Sequence, residues 1–270
     1  MTTQHPAMSA QRNAATPHPA AALGRNMIAI ASGKGGVGKT WFSVTLAHAL
    51  GRMGRKVLLF DGDLGLANVD IQLGLTASGD LYQALNGTAS FNDIVTRHGS
   101  TGIDIVTGRS GVARLADADV RNLDILARGL GLIGDMYDDV VLDLGAGVDR
   151  SVRTLAGSAG RILVMTNVEP TSITDAYALI KLLHQQGQRT DMRIVVNSAE
   201  DRRDGERTYG KLKTACQNFL GFAPELAGIV RQDRYVSDAI RRQTPLLTRH
   251  PTSAAGEDVE RIAEMLRKTR

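Results

Sequence analysis

The stretch IASGKGGVGKTWFSV, residues 30–44, sets Gly33, Gly35, Gly36 and Gly38 around Lys34 and Val37, then continues with Lys39, Thr40 and Trp41. It follows the apolar run MIAIAS (27–32), a strand candidate. Beyond it Phe42, Leu46, Ala49 and Leu50 recur at helical spacing between Thr40 and Met53. Gly33-x-x-x-x-Gly38-Lys39-Thr40 between a strand and a helix is the P-loop pattern. Glycines tolerate positive φ and carry no Cβ, so successive backbone N–H groups can converge on phosphate oxygens. The helix starting near Lys39 adds the positive end of its dipole. Lys39 is then expected to reach the β/γ-phosphates, and the Thr40 hydroxyl to bind Mg²⁺.

Outward from this loop, short apolar runs alternate with helical patterns. Strand candidates are 56–61, 103–108, 139–145, 161–167, 192–198 and 225–230. Helical stretches fall near 81–86, 117–136, 148–157, 172–187, 206–220, 235–242 and 257–269. Continuous apolar strands separated by helices imply right-handed crossovers in a doubly wound, mostly parallel sheet with helices on both faces. That is an α/β P-loop NTPase fold. The start, rich in proline and lacking an apolar h-region, is expected to be a flexible arm over 1–25, not a secretory signal. No linker divides the remainder of the chain, so 26–270 is expected to form a single domain.

Cys216 is the only cysteine, which excludes an intrachain disulfide and a cysteine-based metal cluster and suits a reducing cytoplasm. No apolar run approaches the ~20 residues of a membrane span. The net charge of +4 is spread along the chain, with short clusters at Arg202-Arg203, Arg241-Arg242 and Arg267-Lys268, so DNA contact is the less favoured reading. Asp61 and Asp63 leave the carboxyl end of a strand, where ligand chemistry gathers in open α/β sheets. Asp143 follows the apolar run Val140–Leu142 as a Walker B aspartate would, holding Mg²⁺ or binding Thr40.

KGGVGKT (34–40) resembles the deviant Walker A motif of the MinD/ParA ATPases. The resemblance implies that Lys34 reaches across a dimer interface to the nucleotide of a partner copy, as an arginine finger in trans does. Read from the residues alone, the less favoured alternative for Lys34 is a solvated loop lysine. The same resemblance places Asp63 beside the attacking water and Asp61 in the metal shell. It offers Asn197, then Arg231 and Asp233, for the base, Arg231 standing where the family more often has proline. Trp41, counted with residues 33–40 as part of the nucleotide-binding loop, is large for its place in the family pattern, and its side chain is expected to pack against the sheet or a neighbouring helix.

NVEPTSITDAYALIKLL (167–183) resembles the FlhG (FleN) family of flagellar number and placement regulators, as do DGDLGLANVDIQLGL and the region VSDAIRRQTPLL through EDVERIAEML. The resemblance implies a switch that dimerises on ATP, hydrolyses it to ADP, and acts in the cytoplasm with transient contact at the membrane or cell pole. Implied partners are an FlhF-like GTPase, a flagellar transcriptional activator and switch components of the basal body. Two departures stand out. The arm lacks a DQA-type segment, which puts GTPase stimulation in doubt. The final helical stretch carries a narrow apolar stripe, Val259, Ile262, Ala263 and Leu266, better suited to a core than to a membrane anchor, so membrane contact is expected to be weak or absent. Rival readings are a ParA-type partitioning ATPase on DNA, an ATP-dependent ligase of the same fold, and a scaffold that binds ATP without turnover.

Overall fold

The computed structural model describes residues 24–76, 79, 81–108, 120–186 and 191–269. Among these residues eight strands form one sheet: β1 (Met27–Ser32), β2 (Val57–Gly62), β3 (Thr96–Arg97), β4 (Asp104–Val106), β5 (Asp139–Ala146), β6 (Arg161–Thr166), β7 (Asp191–Ala199) and β8 (Glu225–Arg231). Their order is β3-β4-β2-β5-β1-β6-β7-β8. Every pairing is parallel except β3 with β4. β1 lies between β5 and β6; the connection leaving β1 runs to one side, toward β2, and that leaving β6 runs to the other, toward β7, and ligands in such sheets bind at the carboxyl ends beside that reversal.

Alternate residues of each buried strand feed two cores. Met27, Ala29 and Ala31 point to one face; Ile28 and Ile30 point to the other. The first face is covered by α4 (Val120–Gly134), α5 (Arg150–Gly157), α6 (Pro170–Gln185) and α7 (Arg202–Leu220), through Leu126, Leu155, Leu179 and Leu212 among others. The second is covered by α1 (Lys39–Arg52) and α10 (Ala254–Lys268), with α8 (Arg234–Arg241) and α9 (Leu246–Arg249) beside them. Two short helices, α2 (Val69–Leu73) and α3 (Leu81–Leu85), complete the described elements. The fold is thus the doubly wound α/β arrangement with helices on both faces.

Several helices begin earlier than apolar periodicity suggests, because caps set their starts. Asp201 accepts the N–H of Asp204 and opens α7 at 202, and Ser253 accepts from Gly256 and opens α10 at 254. Pro170 occupies the first turn of α6. Helical expectations at 117–119 and the arm at 1–23 lie outside the described residues. Gly24, expected in the arm, and Asn26, expected to open the domain, both meet the fold: Gly24 O accepts from Met27 N and Gly160 N (2.8 Å each), and the Asn26 amide donates to Gly134 O (2.8 Å) and Tyr137 O (2.9 Å). In α10 the stripe Val259, Ile262, Ala263 and Leu266 is buried against the sheet. Arg161 of β6 ties its end, donating to Leu266 O (3.0 Å) and Thr269 O (3.1 Å). No helix among the described residues is long and apolar enough to cross a membrane.

Candidate active site

The turn from β1 to α1 needs glycine for two separate reasons. At Gly36 and Gly38 φ is +78° and +93°, a region open to glycine at little cost. Gly33 has no such angle, but a Cβ there would collide with the Asp175 carbonyl of α6, so the helix can approach only a bare backbone. A Cβ on Gly38 would also meet Asn197 and Trp41.

The two lysines of the loop have different surroundings. Lys39 is 8% exposed, and its ammonium donates to Ser32 Oγ at 2.9 Å, which in turn donates to Lys34 O at 2.7 Å. Burial lowers its pKa, while the Asp143 and Asp63 carboxylates act in the opposite sense. Lys34 points out of the loop. Its ammonium contacts Glu169 Oε2 at 2.6 Å and Thr171 Oγ1 at 3.0 Å, across the start of α6.

Asp61 and Asp143 face each other in register on β2 and β5, both fully buried. Burial, then the neighbouring Asp143 charge, holds the Asp61 carboxyl above the ordinary carboxylate range. Burial also raises Asp143, against hydrogen bonds from Thr40 and Ser43 and the charge of Lys39. Ser43 Oγ donates to Asp143 Oδ1 at 3.0 Å. Asp61, expected in the metal shell, is otherwise engaged. It accepts backbone N–H groups from Asp63 (3.2 Å), Asn68 (2.9 Å) and Val69 (3.0 Å), so it shapes the loop carrying Asp63. Asp63 holds that loop in turn through the N–H groups of Gly65 (3.3 Å) and Leu66 (3.0 Å), and its carboxylate lies against Gly145.

A cleft of about 810 Å³ opens over the loop. Gly35 to Trp41 line one side, Asp63 and Ala146 another, and Asn197, Arg231 and Asp233 the far end. Asn197 is 2% exposed; its Nδ2 donates to Val37 O at 2.8 Å, and its Oδ1 is buried without a partner. The strand breaks register after Val196, and Ser198 takes φ +55°, an irregularity beside Asn197 at the rim of the cleft. Trp41 lines the cleft beside Gly38 and packs edge-on to Phe42, with ring centroids 6.4 Å apart, partly buried against the core on that face. Arg231 lines the cleft, but its guanidinium turns away onto Asp258, with Nε to Oδ2 at 2.8 Å and Nη2 to Oδ1 at 3.1 Å. Asp233 caps α8, accepting from Tyr235 N at 2.9 Å.

The site therefore brings Lys39, Thr40, Asp63 and Asn197 around one cleft, with Asp143 buried behind it and bonded to Thr40 and Ser43. It places Asp61 behind that group and turns Arg231 toward α10. Sequence reasoning does not single out Ser32, Ser43, Glu169 or Thr171. Ser43 sits three residues after Thr40, the spacing that puts two hydroxyls on one helix face. Glu169 and Thr171 lie inside the 167–183 segment but carry no pattern of their own.

This fold and site define a P-loop ATPase. The chain belongs to the CobQ/CobB/MinD/ParA nucleotide-binding family, whose sequence model matches residues 28–246. Its relatives include the antiactivator FleN of Pseudomonas aeruginosa, 37% identical over 88% of this chain and 85% of the relative. The flagellum site-determining protein YlxH of Helicobacter pylori is 30% identical over 88% of this chain and 81% of that one. Within the MinD/ParA class, then, it is a member of the FleN/FlhG branch of flagellar regulators. Among solved structures, Pyrococcus horikoshii MinD complexed with Mg-ADP superposes with a TM-score of 0.74 at 26% identity, covering 90% of this chain and 96% of that one.

Proposed function

We propose that the chain is a nucleotide-operated switch: two copies close face to face on ATP, and hydrolysis to ADP separates them. The observation that carries this reading is the split between the two loop lysines. Lys39 is buried within its own loop, whereas Lys34 projects outward and is held by exposed partners at the start of α6, Glu169 just before the helix and Thr171 in its first turn. A cation in that position can leave Glu169 for the phosphates of a facing copy, where it stabilises the charge that develops in the transition state.

Within one copy, the backbone N–H groups of residues 33–40 and Lys39 would cradle the β- and γ-phosphates. Among the described residues no group of three His, Cys, Asp or Glu side chains is arranged to hold a metal by itself. Hard oxygen donors are present in the Thr40 hydroxyl and the Asp143 carboxylate, which fit Mg²⁺ sharing phosphate oxygens. When bound there, Mg²⁺ would neutralise charge on the transferred phosphoryl group. Ser43 and Thr40 keep Asp143 oriented through their hydroxyls. Asp63 would orient the attacking water, its loop held by Asp61. The free Asn197 oxygen would accept from the adenine amino group.

The output of the switch would be flagellar number, placement or gene expression. Its partners would be an FlhF-like GTPase, a transcriptional activator or basal-body components. The contacts of α10 with the core support only weak membrane contact. Paired variants test the reading. Lys39→Ala should abolish ATP binding. Lys34→Ala should bind ATP normally but lose ATP-dependent dimerisation, with turnover falling on the order of 1000-fold. A Lys34→Ala protein that dimerises and hydrolyses like the parent removes the trans role.

A further inference from the structure

Beyond Asn197 the cleft is walled by residues 231–234, and these are fastened to α10 by an exchange of carboxylates. Asp233 accepts the Tyr235 N–H on Oδ1 (2.9 Å) and, on Oδ2, the N–H of Ala255 (3.2 Å) in the first turn of α10. In return Asp258, one turn further along α10 and buried, accepts the Arg231 backbone N–H (3.0 Å) and Nε (2.8 Å) on Oδ2. Its Oδ1 accepts Arg231 Nη2 at 3.1 Å and also binds Arg261. The same Nη2 donates to Ala254 O at 3.2 Å. On the other side, Gln232 N donates to Ala199 O at 2.8 Å, two residues past Asn197.

A two-pronged, charge-assisted pair of this kind fixes geometry as well as adding energy. The geometry matters because a lone acceptor discriminates between bases only when the base edge is held against it. Adenine offers an amino donor at the position where guanine offers a carbonyl. If the wall beside Asn197 is free to move, either base can settle at a workable distance.

We propose that Asp258 is a positioning residue for adenine: by fixing Arg231 and the 231–234 wall, it sets the distance between base and Asn197. The choice of adenine over guanine thereby depends on the C-terminal helix. This rests on the reading of the cleft as the nucleotide site.

The test is Asp258→Asn in the full chain, measuring displacement of a fluorescent nucleotide by ATP, GTP and tripolyphosphate, with thermal unfolding alongside. Tripolyphosphate reports on the phosphate loop without a base. The preference for ATP over GTP should fall about 10-fold while tripolyphosphate affinity stays within about 2-fold of the parent. Equal weakening of all three ligands, or an unchanged preference, overturns the proposal. Arg231→Lys, which keeps the charge but not the fork, gives an independent reading if Asp258→Asn fails to fold. It should lower the preference about 3-fold, and an unchanged preference there also overturns the proposal. A parent protein that binds tripolyphosphate but shows no preference for ATP refutes the base assignment, and one that binds none of the three refutes the nucleotide site itself.

Discussion

Replacing Glu169 by glutamine should make the ATP-dependent dimer form more readily. The ammonium of Lys34 sits 2.6 Å from the Glu169 carboxylate and 3.0 Å from the Thr171 hydroxyl, with the lysine side chain 38% and the glutamate 55% exposed. To act on a facing copy, Lys34 must first give up this contact. Exposed ion pairs are weak, and releasing one is equivalent to roughly a 2- to 5-fold change in an equilibrium. A symmetric dimer releases two lysines, so the effects multiply to roughly 4- to 25-fold in the dimerisation constant. Glutamine keeps the shape and the hydrogen-bonding oxygen but removes the charge. The assay is sedimentation velocity across a protein concentration series with a non-hydrolysable ATP analogue, at low and high salt. The gain should shrink at high salt, where the parental ion pair is already screened. A variant that dimerises less readily than the parent, or with the same constant at both salts, would show that Glu169 does not restrain Lys34.

Asp63→Ala should leave the ATP dimer intact but slow turnover by about 100-fold or more, so that the dimer outlives that of the parent in a chase with ADP; unchanged turnover would remove Asp63 from the chemistry. Asp143→Asn should raise the thermal midpoint of the ligand-free protein. Burial lifts the Asp143 pKa, so the stability linked to it is present below the ordinary value and is lost as pH rises through the lifted one; at neutral pH its charge opposes folding. The gain should read as ~2–4 °C for each kcal/mol recovered, together with lost Mg²⁺-dependent hydrolysis, and a lower midpoint would refute the linkage. His48 works in the opposite direction. Burial, aided by Arg52 and His98, lowers its pKa from 6.5 to about 4, so stability is lost as pH falls between those values. His48→Leu should flatten urea-unfolding stability across that window; an unchanged slope would place the acid sensitivity elsewhere.

The phosphate loop is legible in the sequence because it is local. Gly33 to Thr40 lie within one turn, and the strand and helix flanking them are long enough to show their periods. Asp63, Asp143 and Asn197 can be found because each sits at the carboxyl end of an apolar strand, the edge the cleft occupies. Contacts between distant residues set the features that escape such reading. Lys34 and Glu169 are 135 positions apart, and no spacing rule joins them. Arg231 looks available for a base until α10 brings Asp258 against it. Asp61 resembles a metal ligand because strand-end aspartates share one appearance, whereas its two oxygens serve three backbone N–H groups of the next loop. Helices α2 and α9, of five and four residues, and the two-residue β3 are too short to display a period at all.

The most direct test is the mass of the parent protein in solution by light scattering, first with Mg-ADP and then with Mg²⁺ and a non-hydrolysable ATP analogue. An ATP-operated switch predicts the mass of one chain in the first condition and of two in the second. A single chain in both would contradict it, and so would a pair in both.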